Sequence, residues 1–197
     1  MSALESFVTG LRGLVRRLGP VGLVVVIAGV LAGILMIATE FSTLFSAEIG
    51  RGEGPASAPS CADVAPADVK ARCEQTGREQ HSWALGLIGL LTIFMAIGAG
   101  AGRSRPAALA LVICGLIGLG ITLLGDLPDS DDTGLISVLY EDARGVKGTG
   151  FWLELTAAPL AILAGALALS PLLTPPERPT RKRASETEGR GGPSYQR

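Results

Sequence analysis

The amino-acid sequence predicts an all-α membrane protein, a four-transmembrane-helix bundle entered by an N-terminal interfacial amphipathic helix. Composition is the first reason: 48% of the 197 residues are hydrophobic and the mean hydropathy is positive, as in membrane proteins rather than soluble domains. Clustering is the second. Four apolar stretches, residues 20–39, 83–102, 106–125 and 151–173, match the roughly 20 residues that a helix needs to cross a hydrocarbon core of about 30 Å. The third reason is the sorting of charge. Arg12, Arg16 and Arg17 precede the first stretch, Arg103 and Arg105 fill the turn at 103–105, and Arg178, Arg181, Lys182, Arg183, Arg190 and Arg197 follow the last. The loops at 40–82 and 126–150 hold most of the acids, among them Glu48, Glu53, Asp63, Asp68, Asp126, Asp129, Asp131, Asp132, Glu141 and Asp142. By the positive-inside rule both termini and the 103–105 turn are expected in the cytoplasm, and the two long loops outside.

Residues 1–19 open with Ser2 and Glu5 at capping-box spacing, so each side chain can satisfy a free amide at a helix start. At 100° per residue, Leu4, Phe7, Val8, Leu11, Leu14, Val15 and Leu18 share one arc, and Glu5, Thr9, Arg12, Arg16 and Arg17 the other. Such a helix lies in the interface, its arginines among anionic headgroups and its apolar face in the acyl boundary. The span at 20–39 is longer than a secretory signal core, and Leu44-Phe45-Ser46-Ala47 lacks small residues at both positions a peptidase reads, so the span is expected to be retained.

The loop at 40–82 contains Cys61 and Cys73. Outside the cytoplasm a pair of cysteines in one loop is expected to oxidise, and a disulfide closing it would stabilise the loop by about 3 kcal/mol. Its first part, rich in Gly, Pro, Ser and Ala, is expected to be mobile, with helix-like sequence from Pro66. Arg103-Ser104-Arg105 followed by Pro106 joins the second and third spans as a tight antiparallel hairpin. The tail at 174–197 is charged and rich in Pro and Gly, with too little apolar surface to fold alone. Its Arg181-Lys182-Arg183 run reads as a topology and headgroup signal, and no nucleic-acid partner is expected.

Only three of the 17 basic residues are Lys, and Ala and Gly are abundant, a bias of GC-rich coding sequence that points to a bacterial plasma membrane. Gly125-Asp-Leu-Pro-Asp129, Asp132-Thr-Gly134 and Gly148-Thr-Gly-Phe-Trp-Leu-Glu154 make the second half resemble a group of four-span membrane proteins of high-GC, actinobacteria-like bacteria. The resemblance implies four spans and brings no activity with it.

Helices in lipid associate through close packing of small residues. Gly22, Gly29 and Gly33 share a face of the first span; Gly86, Gly89, Ala96 and Gly100 of the second; Ala108, Gly115, Gly118 and Gly125 of the third; Ala157, Ala161, Ala164 and Ala168 of the fourth. The same angular count puts Glu40 on the glycine face of the first span, Asp126 on the continued Gly115 face, and Glu154 on the alanine face of the fourth. These three acids form a candidate cluster at the outer mouth of the bundle. Ionisable groups inside a span are costly and need a partner. A protonated carboxylic acid hydrogen-bonded to backbone, a salt bridge to Arg144 or Lys147, and a bound cation are all open. His81 starts the second span at the same level, but its angle is off the small-residue face, and it reads as a lone interfacial histidine.

Asp129, Asp131 and Thr133 before Gly134 imitate the start of a calcium loop, but the twelfth position holds Tyr140 where a bidentate Glu is needed. The acidic stretch is expected instead to cap a short helix over 134–144. No cofactor motif and no nucleophile with a base partner is present, and one histidine in the chain leaves few hydrolytic constellations. The expectation is therefore a non-enzymatic accessory or scaffold subunit. It would contact the lipid bilayer and a membrane-protein partner or second copy through its loops and helix faces. The alternative is a small transporter or proton- or cation-coupled module using Glu40, Asp126 and Glu154.

Overall fold

A computed structural model describes residues 3–49, 60–66, 69, 73–130 and 143–170, with side chains from residue 18 onward except those of 62 and 64. The first helix, α1 (Ala3–Glu40), breaks at Gly19. That residue has φ 66° and ψ 169°, backbone that glycine alone adopts without strain, and Pro20 then restarts the helix. After α1 come β1 (Thr43–Ile49), α2 (Cys61–Val64), β2 (Glu74–Thr76) and α3 (Gly77–His81). Next are α4 (Ala84–Gly100) and α5 (Arg105–Gly120), the latter continued by a π-helical segment, Ile121–Asp126, and a last α-turn, Leu127–Asp129. The described chain closes with β3 (Ala143–Lys147) and α6 (Thr149–Leu169).

Three of these helical segments are long and apolar enough to cross a membrane: Leu18–Glu40, Arg105–Asp129 and Thr149–Leu169. The helix at the expected second span is apolar but has 17 residues, about 26 Å at 1.5 Å per residue, slightly short of a bilayer core of about 30 Å. Its C-terminal turn at Ala101 and Gly102, and the left-handed Arg103, lead into Ser104, which caps the next helix by accepting the Ala107 N–H.

The bundle is a ring in which α1 packs on α4 and α6, and α5 packs on α6 and α4. Its contacts are made by small residues. Gly29 faces Ala96, Gly33 faces the Gly89 carbonyl and Ile93, Gly118 packs on Met36 and Ala158, and Gly165 on Ala108 and Val112. Ala157, Ala158, Ala161 and Ala164 are buried along α6. Large side chains point the other way: Val24, Ile27, Leu31, Leu87, Phe94, Ile113, Leu116 and Leu163 are all exposed. A small-residue interior under an aliphatic coat is the reverse of a water-soluble bundle and fits lipid as solvent.

The all-α expectation requires correction. At the end of the bundle where α1 and α5 finish and α4 and α6 begin, the chain builds a three-stranded antiparallel sheet of order β2-β1-β3. Phe45 pairs with Lys147 and Ile49 with Ala143 on one side of β1; Thr43 pairs with Thr76 and Ser46 with Glu74 on the other. The physical reason is long range: β1 has partners from two other parts of the chain, and seven residues of mixed polarity show no helical period to extend α1. Residues 143 and 144, expected to end a helix, belong to β3 instead; the remainder of 134–144 and the tail at 174–197 lie outside the described residues.

One small core fixes this head to the bundle, and a second holds the head itself together. Leu44 and Phe45 of β1 pack on Phe151 and Leu155 of α6, and the Gly148 N–H donates to the Leu44 carbonyl at 2.7 Å. Gly77 sits against the Thr39 carbonyl at the end of α1, where a side chain would not fit. Further out, Cys61 and Cys73 are joined in a disulfide with Cα atoms 5.4 Å apart and pack with Ala47, Ile49, Ala65 and Ala143. The Ala47 N–H donates to the Cys73 carbonyl, so the disulfide is tied to the sheet. Cys114 is a free, buried thiol within α5.

Candidate functional site

Four ionisable side chains meet beneath the head. Glu40 comes from the last residue of α1, His81 from the last of α3, Asp126 from the end of the π-helical segment and Glu154 from the second turn of α6. Glu40, Asp126 and Glu154 are 1% or less exposed.

His81 is delivered by local geometry. Thr76 and Glu79 form a capping box in which the Thr76 N–H donates to Glu79 Oε2 at 2.9 Å, making α3 a separate short helix. That helix is then cut off: Ser82 and Trp83 have φ of 49° and 77°, two consecutive non-glycine residues in left-handed backbone. Such backbone is costly and is held by its surroundings. Trp83 is packed edge-on against Phe41 and covered by the Arg78 guanidinium, 4.5 Å from the ring centroid. The turn resets the angular phase between α3 and α4, so extrapolating the face of α4 back to residue 81 fails. The lone interfacial histidine is therefore a correction: His81 Nε2 lies 3.3 Å from Asp126 Oδ2 and 3.9 Å from Glu154 Oε2, its side chain only 9% exposed. The capping-box spacing of Thr76 and Glu79 is the sequence signal that could have separated the two helices.

Asp126 is positioned by the π-helical segment, in which the Leu127 N–H donates to the Thr122 carbonyl, five residues back. Wide turns of this kind are uncommon and recur at functional sites. Thr122 lies beside Glu154, but its hydroxyl donates to the Gly118 carbonyl at 3.0 Å and so is committed.

The three acids are not equivalent. Glu40 Oε1 accepts the Gly86 N–H at 2.7 Å, so it caps the start of α4, which has no side-chain cap of its own, and favourably meets the positive end of that helix. Both oxygens of Asp126, both of Glu154 and the Nε2 of His81 make no well-formed hydrogen bond among the described residues. The cationic alternatives do not pair with these acids among the described residues: Lys147 Nζ lies 5.2 Å from the Phe151 ring, and Arg144 is in β3, at the position opposite Glu48 in the β1–β3 register. The imidazole of His81 titrates above its ordinary value of 6.5. Burial opposes its charged form, but the attraction of Asp126, then Glu154 and Glu40, outweighs that penalty. One imidazolium can balance only one of three carboxylates.

One donor atom from each of His81, Asp126 and Glu154 lies within 4.8 Å of the other two, an arrangement that can hold a metal ion. Of the calcium-loop residues, Asp129 instead accepts a hydrogen bond from Gln80 Nε2 at 3.1 Å, and Gln80 accepts one from Gln75, a chain that braces α3 against the end of the Arg105–Asp129 segment. Asp131 and Thr133 lie outside the described residues. Of the small residues singled out for packing, Gly86 lies beside Glu40, and Gly29, Gly33, Gly89, Gly115, Gly118, Ala161 and Ala164 all lie at helix contacts; Gly125 does not, because it sits in the π-helical segment, whose wider turn shifts the helical phase, and nothing lies within 4 Å of where its Cβ would be.

Comparison with protein families, curated proteins and solved structures finds no match to this chain. The site must speak for itself.

Proposed function

We propose that this protein is a multi-pass bacterial plasma-membrane protein that binds a cation at a buried site beneath a folded extracytoplasmic head. Four spans, with both termini cytoplasmic, agree with the charge sorting, because the sheet, the disulfide and the acidic loops then share the outer side. The observation that carries the cation reading is the pair of fully buried carboxylates of Asp126 and Glu154, which share a single imidazole and make no well-formed hydrogen bond among the described residues. Buried charge without a partner costs several kcal/mol, and a cation removes that cost.

Binding is favoured over conduction through the bundle. Below the site the described interior is built from Ala32, Met36, Ala157, Ala158 and Ala161, with Thr92 donating to its own helix backbone, the thiol of Cys114, and no carboxylate, histidine or basic side chain. A solute path would need polar groups there. The test is thermal unfolding of the purified, chelator-treated protein against a panel of monovalent and divalent ions. A concentration-dependent rise in melting temperature that Glu154→Gln abolishes is expected; no response to any ion would refute the reading.

A second reading, a non-enzymatic accessory subunit engaging a membrane-protein partner or a second copy, is favoured by the disulfide-stapled head, which is more structure than span connection requires. Purification from the native membrane in mild detergent, followed by mass spectrometry, should then recover a reproducible partner or a homo-oligomer; a lone monomer would count against it.

A further inference from the structure

We infer that the cation is a divalent first-row transition metal, held by His81 Nε2 and one carboxylate oxygen each from Asp126 and Glu154. This rests on the cation-binding reading above and names the ligand class.

The donor set argues for it. One imidazole nitrogen with two carboxylates is a mixed nitrogen and oxygen set suited to zinc, manganese or iron, whereas calcium takes six to eight oxygens and magnesium keeps much of its water. Distances agree. Metal–ligand bonds of about 2.0–2.2 Å place neighbouring donor atoms roughly 2.8–3.6 Å apart in tetrahedral or octahedral sets. The His81–Asp126 contact at 3.3 Å lies in that range, the His81–Glu154 contact at 3.9 Å just outside it, and the three donor atoms lie within 4.8 Å of one another, so closing on an ion requires a shift of about 1 Å or less per side chain. Charge agrees as well: a neutral imidazole and two carboxylates match a divalent ion, and Glu40, anchored on the Gly86 N–H, adds negative potential without being one of the three clustered donors.

The ligands arrive on three elements held independently. His81 is fixed by the left-handed turn at Ser82 and Trp83, Asp126 by the π-helical segment, and Glu154 by the helix start that Phe151 anchors to the sheet. Each carboxylate is completely buried and its oxygens make no well-formed hydrogen bond among the described residues, with one imidazole shared between the two, an arrangement that a folded protein maintains when something else completes it. Three protein ligands leave coordination positions for water or another small ligand, the pattern of an open metal site.

The full-length protein, purified in detergent and stripped with EDTA, is equilibrated with Zn2+, Mn2+, Ca2+ or Mg2+, and bound metal is counted by mass spectrometry after gel filtration. One equivalent of Zn2+ or Mn2+ is expected, with affinity reduced at least about 100-fold in both His81→Ala and Glu154→Gln. Because these variants could fold poorly, Co2+ is added to the unaltered protein in parallel, where visible absorption bands of nitrogen and oxygen ligation should appear and be displaced by Zn2+. If Ca2+ or a monovalent ion binds and Zn2+, Mn2+ and Co2+ do not, the transition-metal inference fails while the cation reading stands. If no ion binds, both fail. Zn2+ binding that is unchanged in folded His81→Ala would locate the metal elsewhere and overturn the inference.

Discussion

Gly115→Ala probes the packing that brings Asp126 to Glu154. Gly115 lies on α5 where it crosses α6. A Cβ placed there would stand 2.8 Å from the Ala158 carbonyl oxygen, 2.9 Å from the Ile162 nitrogen and 2.7 Å from Ile162 Cγ1. Two of these atoms are backbone, so no side-chain rotation relieves the clash, and reaching ordinary contact from 3.4 Å upward requires the helices to part by about 0.5 Å. Overpacking of this kind costs about 1–3 kcal/mol. Gly120, on the same helix, has nothing within 4 Å of an added Cβ, so Gly120→Ala is the control and should be neutral or stabilising by up to about 1 kcal/mol. Equilibrium unfolding of both variants in one detergent, beside Zn2+ titration, reads the difference. Gly115→Ala should lose stability and bind Zn2+ more weakly, because its helix pair carries two of the three ligands; Gly120→Ala should bind normally. Equal stability of the two variants would refute the close-packed crossing, and weakened stability with undiminished Zn2+ affinity would uncouple the crossing from the site.

Three further outcomes follow from the same contacts. Replacing Cys61 and Cys73 together with Ser should lower the stability of the head by about 3 kcal/mol, since the bond closes a separation of 12 residues, and hydrogen exchange of β1 and β2 should rise while that of α5 stays protected. Glu40→Ala removes the charged acceptor of the Gly86 N–H and should cost roughly 1.5–3 kcal/mol in thermal or denaturant unfolding, with Glu40→Gln retaining part of it as a neutral acceptor. In metal-free protein the His81 pKa is raised in the folded state, so its contribution to stability is full below the unfolded value of 6.5 and disappears as pH rises through the higher folded value. Melting temperatures across that window should therefore fall with rising pH, and His81→Gln should flatten the profile; an unchanged profile in the variant would assign the titration to another group.

Much of the head's fold is hidden from a reading of periodicity because its contacts cross the sequence. Thr43–Ile49 carries Leu44, Phe45 and Ala47 toward the interior, but what makes it a strand is pairing with residues 74–76 on one side and 143–147 on the other. Glu40, Asp126 and Glu154 could be aimed at the bundle from their helical angles alone, since each terminates or lies within a long periodic segment. His81 could not. It belongs to a five-residue helix whose direction is decided by two left-handed residues and by the packing of Trp83 on Phe41 and Arg78, so its angle relative to α4 carries no information.

The sequence by itself determined the membrane character of the chain, the apolar segments, the cysteines available for pairing, and the small residues at which helices meet, because lipid imposes length and polarity on each helix separately. Only the tertiary structure decided that the two long loops share one sheet, that Glu40 is spent as a helix cap, and that a histidine joins Asp126 and Glu154. Those outcomes depend on which segments meet, and a site assembled from three elements exists only once they have met.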